Sequence, residues 1–264
     1  MSNPHLLVER EGHVVTLTMN RPEARNAFGN EMLCRLADAW DEVDGDDEVR
    51  AVILTGAGGH FCAGADLKAM ARGAADDEWT RRMKGSPEQA WKALLRSYRL
   101  KKPLIAAVEG TAVAGGTEIL QTTDIRIAGK GAKLGVAEAR WGLFPLGGST
   151  VRLRRQIPYT IAMDLLLTGR TITADEALSY GLIGRVVPDG EALAEAKRIA
   201  TQIAENGPLA VQAIKRSVQE TDGLPIEQAL AKELEIGWPI LSTEDAKEGP
   251  RAFMEKRKPD FKGK

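Results

Sequence analysis

Pro103-Leu104-Ile105-Ala106-Ala107-Val108-Glu109-Gly110-Thr111-Ala112-Val113-Ala114-Gly115-Gly116-Thr117-Glu118-Ile119-Leu120-Gln121-Thr122-Thr123-Asp124-Ile125-Arg126 reads as a strand that enters a glycine turn and leaves it as a helix. The apolar run ends at Gly110, and Gly115-Gly116 open a short helical pattern that carries Glu118 on its first turn. A strand, a turn and a helix N-terminus in that order aim unpaired backbone N–H groups, with the partial positive end of the helix, at whatever lies above the turn. The stretch is a candidate seat for an oxyanion. Glu118 stands beside it as a candidate proton carrier.

Outward towards the N-terminus, Ala51-Val52-Ile53-Leu54-Thr55 is another short apolar run bounded by charge and glycine, as expected of a strand buried on both faces. Ahead of it, Met32, Leu33, Leu36, Ala39, Trp40 and Val43 recur at helical spacing and stop at Asp44-Gly45-Asp46-Asp47. Residues 6–10 and 13–19 flank Glu11-Gly12 as an opening hairpin. The β-α-β order predicts a parallel sheet. Behind residue 55 comes a second glycine-rich loop, Gly56-Ala57-Gly58-Gly59-His60-Phe61-Cys62-Ala63-Gly64-Ala65-Asp66-Leu67, in which Asp66 is placed to cap a helix. Two such loops can converge on one site.

Residues 68–100 are charged and helical in pattern, with Trp79, Met83, Trp91, Leu94, Leu95 and Tyr98 as apolar positions and a break at Gly85-Ser86-Pro87. Residues 125–128 and 133–136 read as strands around a Gly129-Lys130-Gly131 turn, after which Glu138 enters an irregular stretch reaching Gly148. Helices are expected over 152–157, 161–167, 174–180, 192–206, 209–220, 226–241 and 243–256, with an extended segment at 183–187. Thr173-Ala174-Asp175-Glu176 forms a capping-box pattern, and Gly181 and Gly207 stand where C-caps are expected. The whole is an α/β pattern that becomes all-helical towards the C-terminus, without internal repeats.

With 264 residues, a hydrophobic share of 43% and a charged share of 28%, the chain can bury a core, and we expect one catalytic body with a smaller helical appendage. The 36 basic and 37 acidic side chains leave a net charge of −1, which argues against nucleic acid or an anionic membrane as partner. Cys34 and Cys62 are too few for a disulfide framework and lack metal-ligand spacing, so a cytoplasmic protein without a metal is expected. The first residues show no leader pattern, and no apolar run is long enough to span a bilayer. Neither nucleotide-binding glycine motif occurs in its required context.

Taken together, the 62–67 loop, Ala114-Gly115-Gly116-Thr117-Glu118 and Ala137-Glu138-Ala139 resemble the enoyl-CoA hydratase/isomerase family, the crotonase superfamily. Supporting stretches are Asn20-Arg21-Pro22, Leu166-Leu167-Thr168-Gly169-Arg170 and Lys258-Pro259-Asp260-Phe261, so the likeness covers nearly the whole chain. It implies a crotonase-like ββα spiral core over residues 1–200, a helical C-terminal oligomerisation region over 201–264, and assembly as a homotrimer or homohexamer. It also implies an acyl-CoA thioester substrate and no cofactor, CoA being part of the substrate. By matching motifs, the Ala65 and Gly115 N–H groups would hold the thioester carbonyl. CoA would run past Arg25, Ala63, Asp66 and Leu67, and Lys262 would reach a neighbouring subunit's CoA phosphates.

A thioester acidifies its α-carbon only mildly, so the enzyme must stabilise the enolate, and each preorganised N–H donor is worth roughly 3 kcal/mol of barrier. Hydration further needs a base to activate water for attack at C3 and an acid to protonate C2. The resemblance gives these tasks to Glu118 and Glu138, twenty residues apart, each proton transfer contributing on the order of 10²–10⁴-fold. Retention of both carboxylates favours water addition over double-bond migration. In a dry site, like-charge repulsion and desolvation should keep one of the pair protonated.

The plainer readings are a Glu138–Arg140 surface ion pair, Asp66 as cap and loop brace, Asp124 as a support under Glu118, Cys62 as packing, and Trp79 and Trp91 as core or interface. His5, His13 and His60 receive no role. The chain departs from common short-chain hydratases in a longer 68–100 segment, in Trp141 three residues after Glu138, and in Phe144-Pro145-Leu146-Gly147-Gly148-Ser149. These differences make Trp141 a candidate substrate contact. Rival functions are an isomerase or other crotonase-type lyase, and a non-catalytic acyl-CoA-binding scaffold.

Overall fold

The computed structural model describes residues 3–73 and 75–264. Met1 and Ser2, weighed above as part of a leader, and Ala74, within the expected helical stretch, lie outside the described residues.

Nine strands are present among the described residues: β1 (Leu6–Glu11), β2 (Val14–Met19), β3 (Ala51–Gly56), β4 (Leu104–Val108), β5 (Thr111–Val113), β6 (Ile125–Gly129), β7 (Lys133–Gly135), β8 (Ile172–Thr173) and β9 (Arg185–Val187). Six form one sheet in the order β1-β2-β3-β4-β6-β9. Only the β1–β2 hairpin is antiparallel; every later neighbour pairs in parallel. A smaller sheet, β5-β7-β8, sits beside it. Its strands of two or three residues are too short to show a side-chain period, and neither β5 nor β8 is legible in the sequence.

The helices are α1 (Asn30–Gly45), α2 (Leu67–Arg72), α3 (Glu78–Gly85), α4 (Glu88–Ala93), α5 (Gly115–Leu120), α6 (Ser149–Gln156), α7 (Tyr159–Thr168), α8 (Ala174–Ser179), α9 (Ala192–Ala204), α10 (Pro208–Thr221), α11 (Ile226–Gly237) and α12 (Glu244–Met254). The central strands β3 and β4 are buried on both faces, which is why they read as unbroken apolar runs. Val52, Leu54, Leu104, Ala106 and Val108 face one core with Met32, Leu36 and Trp40 of α1. The alternate residues Ala51, Ile53, Ile105, Ala107 and Ile127 face Ala192, Ala196, Ile199, Ala200 and Ala204 of α9.

The 68–100 stretch is helical in three short pieces, with one more break than the expected one at Gly85-Ser86-Pro87. Asp66 caps α2 through the Ala69 N–H at 3.0 Å, Asp77 caps α3 through Thr80 N–H at 2.7 Å, and Gly85-Ser86-Pro87 separates α3 from α4. Thr173 and Glu176 form the expected capping box. The Gly207 expectation is corrected: Glu205 caps α9, whereas Gly207, at φ −59, precedes Pro208 and is the N-cap of α10. A proline at the first helical position starts a helix, because its missing N–H is one the helix cannot use. The 226–241 expectation is also shortened. α11 stops at Gly237, and Trp238–Ser242, containing Pro239, tightens into a 3₁₀ turn.

Asp124 does not support the loop under Glu118. Its carboxylate accepts from the Leu104 N–H and from Lys215 Nζ, both at 2.7 Å, and so pins the start of β4 to α10. Arg50 makes a second tie to the C-terminal part, donating to the Ala204 carbonyl at 3.1 Å and the Phe261 carbonyl at 2.7 Å.

Candidate active site

The second glycine-rich loop returns alongside β5. Cys62 N–H donates to the Thr111 carbonyl at 2.9 Å and Val113 N–H to the Cys62 carbonyl at 3.0 Å, so the two glycine-rich stretches run parallel and in contact. That approach explains two glycines. A Cβ on Gly116 would lie 2.2 Å from the Cys62 carbonyl oxygen. One on Gly64, whose φ is +84, would lie 2.7 Å from the Ala114 Cβ and 2.9 Å from the Gly115 nitrogen. A side chain at either position would drive the loops apart.

Ala114 N–H donates to the Gly135 carbonyl, and the Thr117 and Glu118 N–H groups both donate to the Ala114 carbonyl. Asp66 N–H is taken by Phe28 and Ala63 N–H by Arg25. Among the described residues, no protein acceptor takes the N–H of Ala65 or of Gly115. Backbone donors are rarely left idle unless solvent or a ligand completes them. Ala114 adopts φ 50, ψ −127, a region that costs a non-glycine residue about 1–3 kcal/mol. Its ψ sets the direction of the following peptide, the one that carries the Gly115 N–H.

Glu118, one turn into α5, is 4% exposed. Its carboxylate accepts from Gly147 N–H at 3.0 Å and Ser149 N–H at 3.1 Å, one bond to each oxygen. A Cβ on Gly147 would lie 2.6 Å from Glu118 Oε2, so the 147–149 turn is moulded around this carboxylate. Glu138 opens a 3₁₀ turn, Glu138–Trp141, and is 8% exposed. Its Oε2 is buried with no partner, and the expected surface pair with Arg140 does not form among the described residues. Burial first, and then the Glu118 carboxylate beside it, push the Glu138 carboxyl up to about 7. The two glutamates thus share a site but not an environment: one is held by two backbone donors, the other is buried with one oxygen lacking a partner.

Asp66 acts as the cap and brace that the sequence allows, accepting from Ala69 N–H and from Arg21 at 3.0 Å; those bonds hold it below the usual carboxylate range, the Ala69 bond most of all. Arg25 lies exposed with φ 49, its carbonyl engaged by Ala63, and its guanidinium forms no ion pair among the described residues. Leu67 is exposed at the start of α2. Lys262 pairs with Asp260 at 2.7 Å. Burial pushes the Cys62 thiol up to about 12, which leaves it packing and no nucleophile. Trp79 and Trp91 are half-buried, covered by the Arg35 and Arg96 guanidinium groups. Trp141 does not lie folded against the carboxylates: 66% of it is exposed, at the head of an apolar surface continued by Leu143, Phe144 and Leu146.

Sequence reasoning missed the holders of Glu118, Gly147 and Ser149, for which the only signal was a Gly-Gly pair ahead of α6. Among the described residues, no group of three or more His, Cys, Asp or Glu side chains could hold a metal, and no helix is long and apolar enough to cross a membrane.

A largely parallel sheet, two glycine-rich loops in backbone contact that each leave an N–H without a protein acceptor, and a pair of buried glutamates define a crotonase-type protein. The family model described as enoyl-CoA hydratase/isomerase matches residues 9–264. Enoyl-CoA hydratase EchA19 of Mycobacterium tuberculosis is 57% identical over 263 residues, covering 100% of this chain and 98% of its own. The 2,3-dehydroadipyl-CoA hydratase of Escherichia coli is 36% identical, covering 98% of this chain and 99% of its own. A crystal structure of an enoyl-CoA hydratase from Bacillus anthracis superposes with a TM-score of 0.91 at 35% identity, covering 98% of this chain and 100% of that one. The chain belongs to the enoyl-CoA hydratase/isomerase family.

Proposed function

We propose that the protein is an enoyl-CoA hydratase, adding water reversibly across the 2,3 double bond of an enoyl-CoA thioester. The observation that carries this reading is the pair of buried carboxylates, Glu118 held by two backbone donors and Glu138 dry with its carboxyl up to about 7. An isomerase shuttles one proton and needs one carboxylate; water addition needs an acceptor and a donor at once.

In this reading the thioester carbonyl sits between the Ala65 and Gly115 N–H groups, which stabilise the enolate oxygen. Glu118 keeps lone pairs beyond those used by Gly147 and Ser149, and with them orients a water and takes its proton as the oxygen bonds to C3. Glu138, protonated near neutrality, gives its proton to C2. One proton then passes between the two carboxyls to reset the pair, whose titration belongs to both. Every bond made or broken lies in substrate, water and carboxyl groups, so no cofactor takes part. Arg25 and the backbone of Ala63, Asp66 and Leu67 line the path for CoA, and Trp141 flanks the acyl end. The protein works as a homotrimer or homohexamer in the cytoplasm, with residues 201–264 as the assembling part. The support for assembly is the apolar surface of α11 and the following turn, where Leu230, Leu234 and Trp238 are exposed on the isolated chain.

Loss of enoyl absorbance on a panel of trans-2-enoyl-CoAs tests the assignment, with Glu118→Gln and Glu138→Gln alongside. Each variant should lose on the order of 10²–10⁴-fold in kcat with the fold retained. Near-full rates in both variants, or no turnover by the wild type, would sink it.

A further inference from the structure

Arg152, on α6, has no part in the chemistry above, yet its guanidinium spans two walls of the site. One nitrogen, Nη1, donates to the Gly147 carbonyl at 2.7 Å, and the other, Nη2, to the Leu95 carbonyl at 3.0 Å. Gly147 is the residue whose N–H donates to Glu118. Leu95 closes the end of α4 in the left-handed region at φ 51, fixed there by its own N–H to the Lys92 carbonyl and by Arg96 N–H to the Trp91 carbonyl, both at 2.8 Å. The turn between is held on both sides. A Cβ on Gly147 would lie 2.6 Å from Glu118 Oε2, and one on Gly148 2.5 Å from Arg152 Nη1.

We propose that Arg152 is a positioning residue for hydration, clamping the 147–149 turn that orients Glu118 and fastening that turn to the α2–α4 wall. The inference rests on the hydratase reading. A planar guanidinium can bridge two carbonyls at a fixed angle, whereas an ammonium on a flexible stem is a single point charge that holds one of them at a time. Two charged groups act on the clamp, Glu118 on α5 and Arg96 beyond α4. Without the fork, the turn can relax and carry both N–H donors away from the Glu118 carboxylate. A displacement of about 1 Å at a catalytic group costs on the order of 10²-fold.

Steady-state hydration kinetics of Arg152→Met, Arg152→Lys, Glu118→Gln and the Glu118→Gln/Arg152→Met double variant test the clamp. Arg152→Met should lose about 10²-fold in kcat while KM changes little, and should cost little more once Glu118 has been replaced. Arg152→Lys should recover part of the rate and still fall about tenfold short of wild type. A residue that merely supports the acyl wall would raise KM at unchanged kcat, and one acting independently of Glu118 would cost the same factor in both backgrounds; either result overturns the proposal. Should Arg152→Met not fold, a wild-type kcat in Arg152→Lys overturns it alone. Failure of the hydratase reading looks different: wild type without turnover, or Glu118→Gln at full rate.

Discussion

At the scale of single residues, Glu138 links catalysis to stability. Its carboxyl is raised from 4.5 to about 7, so between those values the folded state holds a proton that the unfolded chain has released. Stability therefore falls as pH rises through that window, and above about 7 the full cost of a dry carboxylate beside Glu118 is present. Glu138→Gln removes the charge and keeps the shape. We expect it to be more stable than wild type at pH 8, by on the order of a few kcal/mol, and to match it near pH 4. Denaturant unfolding at both values measures this, and a difference independent of pH would contradict the assignment. The same residues show what a sequence can disclose. Glu118, Glu138 and Ala65 stood out through the family resemblance, and Gly115 also through the glycine turn that opens its helix. Gly147 and Ser149 act by main-chain N–H groups that leave no side-chain signature. Arg152 shares α6 with Arg154 and Arg155, and nothing in residue type separates the one that turns inward from those that are solvated.

At the scale of elements, α9 illustrates how closely packing follows composition. Ala192, Ala196, Ala200 and Ala204 recur every fourth residue and let the helix lie near the sheet against Ile53, Ile105 and Ile127. Ala200→Leu, on a fully buried position, should destabilise the fold by about 1–3 kcal/mol through overpacking, read as a lower denaturant midpoint. An unchanged midpoint would mean that the layer is looser than its burial indicates. Long elements were legible: the hairpin, α1, β3, β4 and α9 each carry a full period of side chains or an uninterrupted apolar run. Among the short ones, β5 and β8 were not. β5 and β8 are fixed by pairing with β7, a tertiary signal; between α2 and α4 the Asp66 cap and the Gly-Ser-Pro break were legible, and the Asp77 cap that separates α2 from α3 was not.

At the scale of the whole molecule, α10 to α12 leave apolar side chains such as Trp238, 66% exposed, and Phe253, 85% exposed, uncovered on the isolated chain. Surfaces of that kind mark association sites. Sedimentation should show three or six copies per particle, and Leu234→Glu with Trp238→Glu should shift the population towards smaller species; a monomeric wild type would remove the assembly expected here. The central claim, however, concerns the reaction. A carboxylate pair with unequal environments predicts water addition, while a one-proton shuttle would move a double bond. Turnover of a trans-2-enoyl-CoA in oxygen-18 water, followed by mass spectrometry of the product, separates them most directly. The label should appear at C3 of a 3-hydroxyacyl-CoA, and its incorporation should fall with both Glu118→Gln and Glu138→Gln; unlabelled product with a shifted double bond would contradict the assignment.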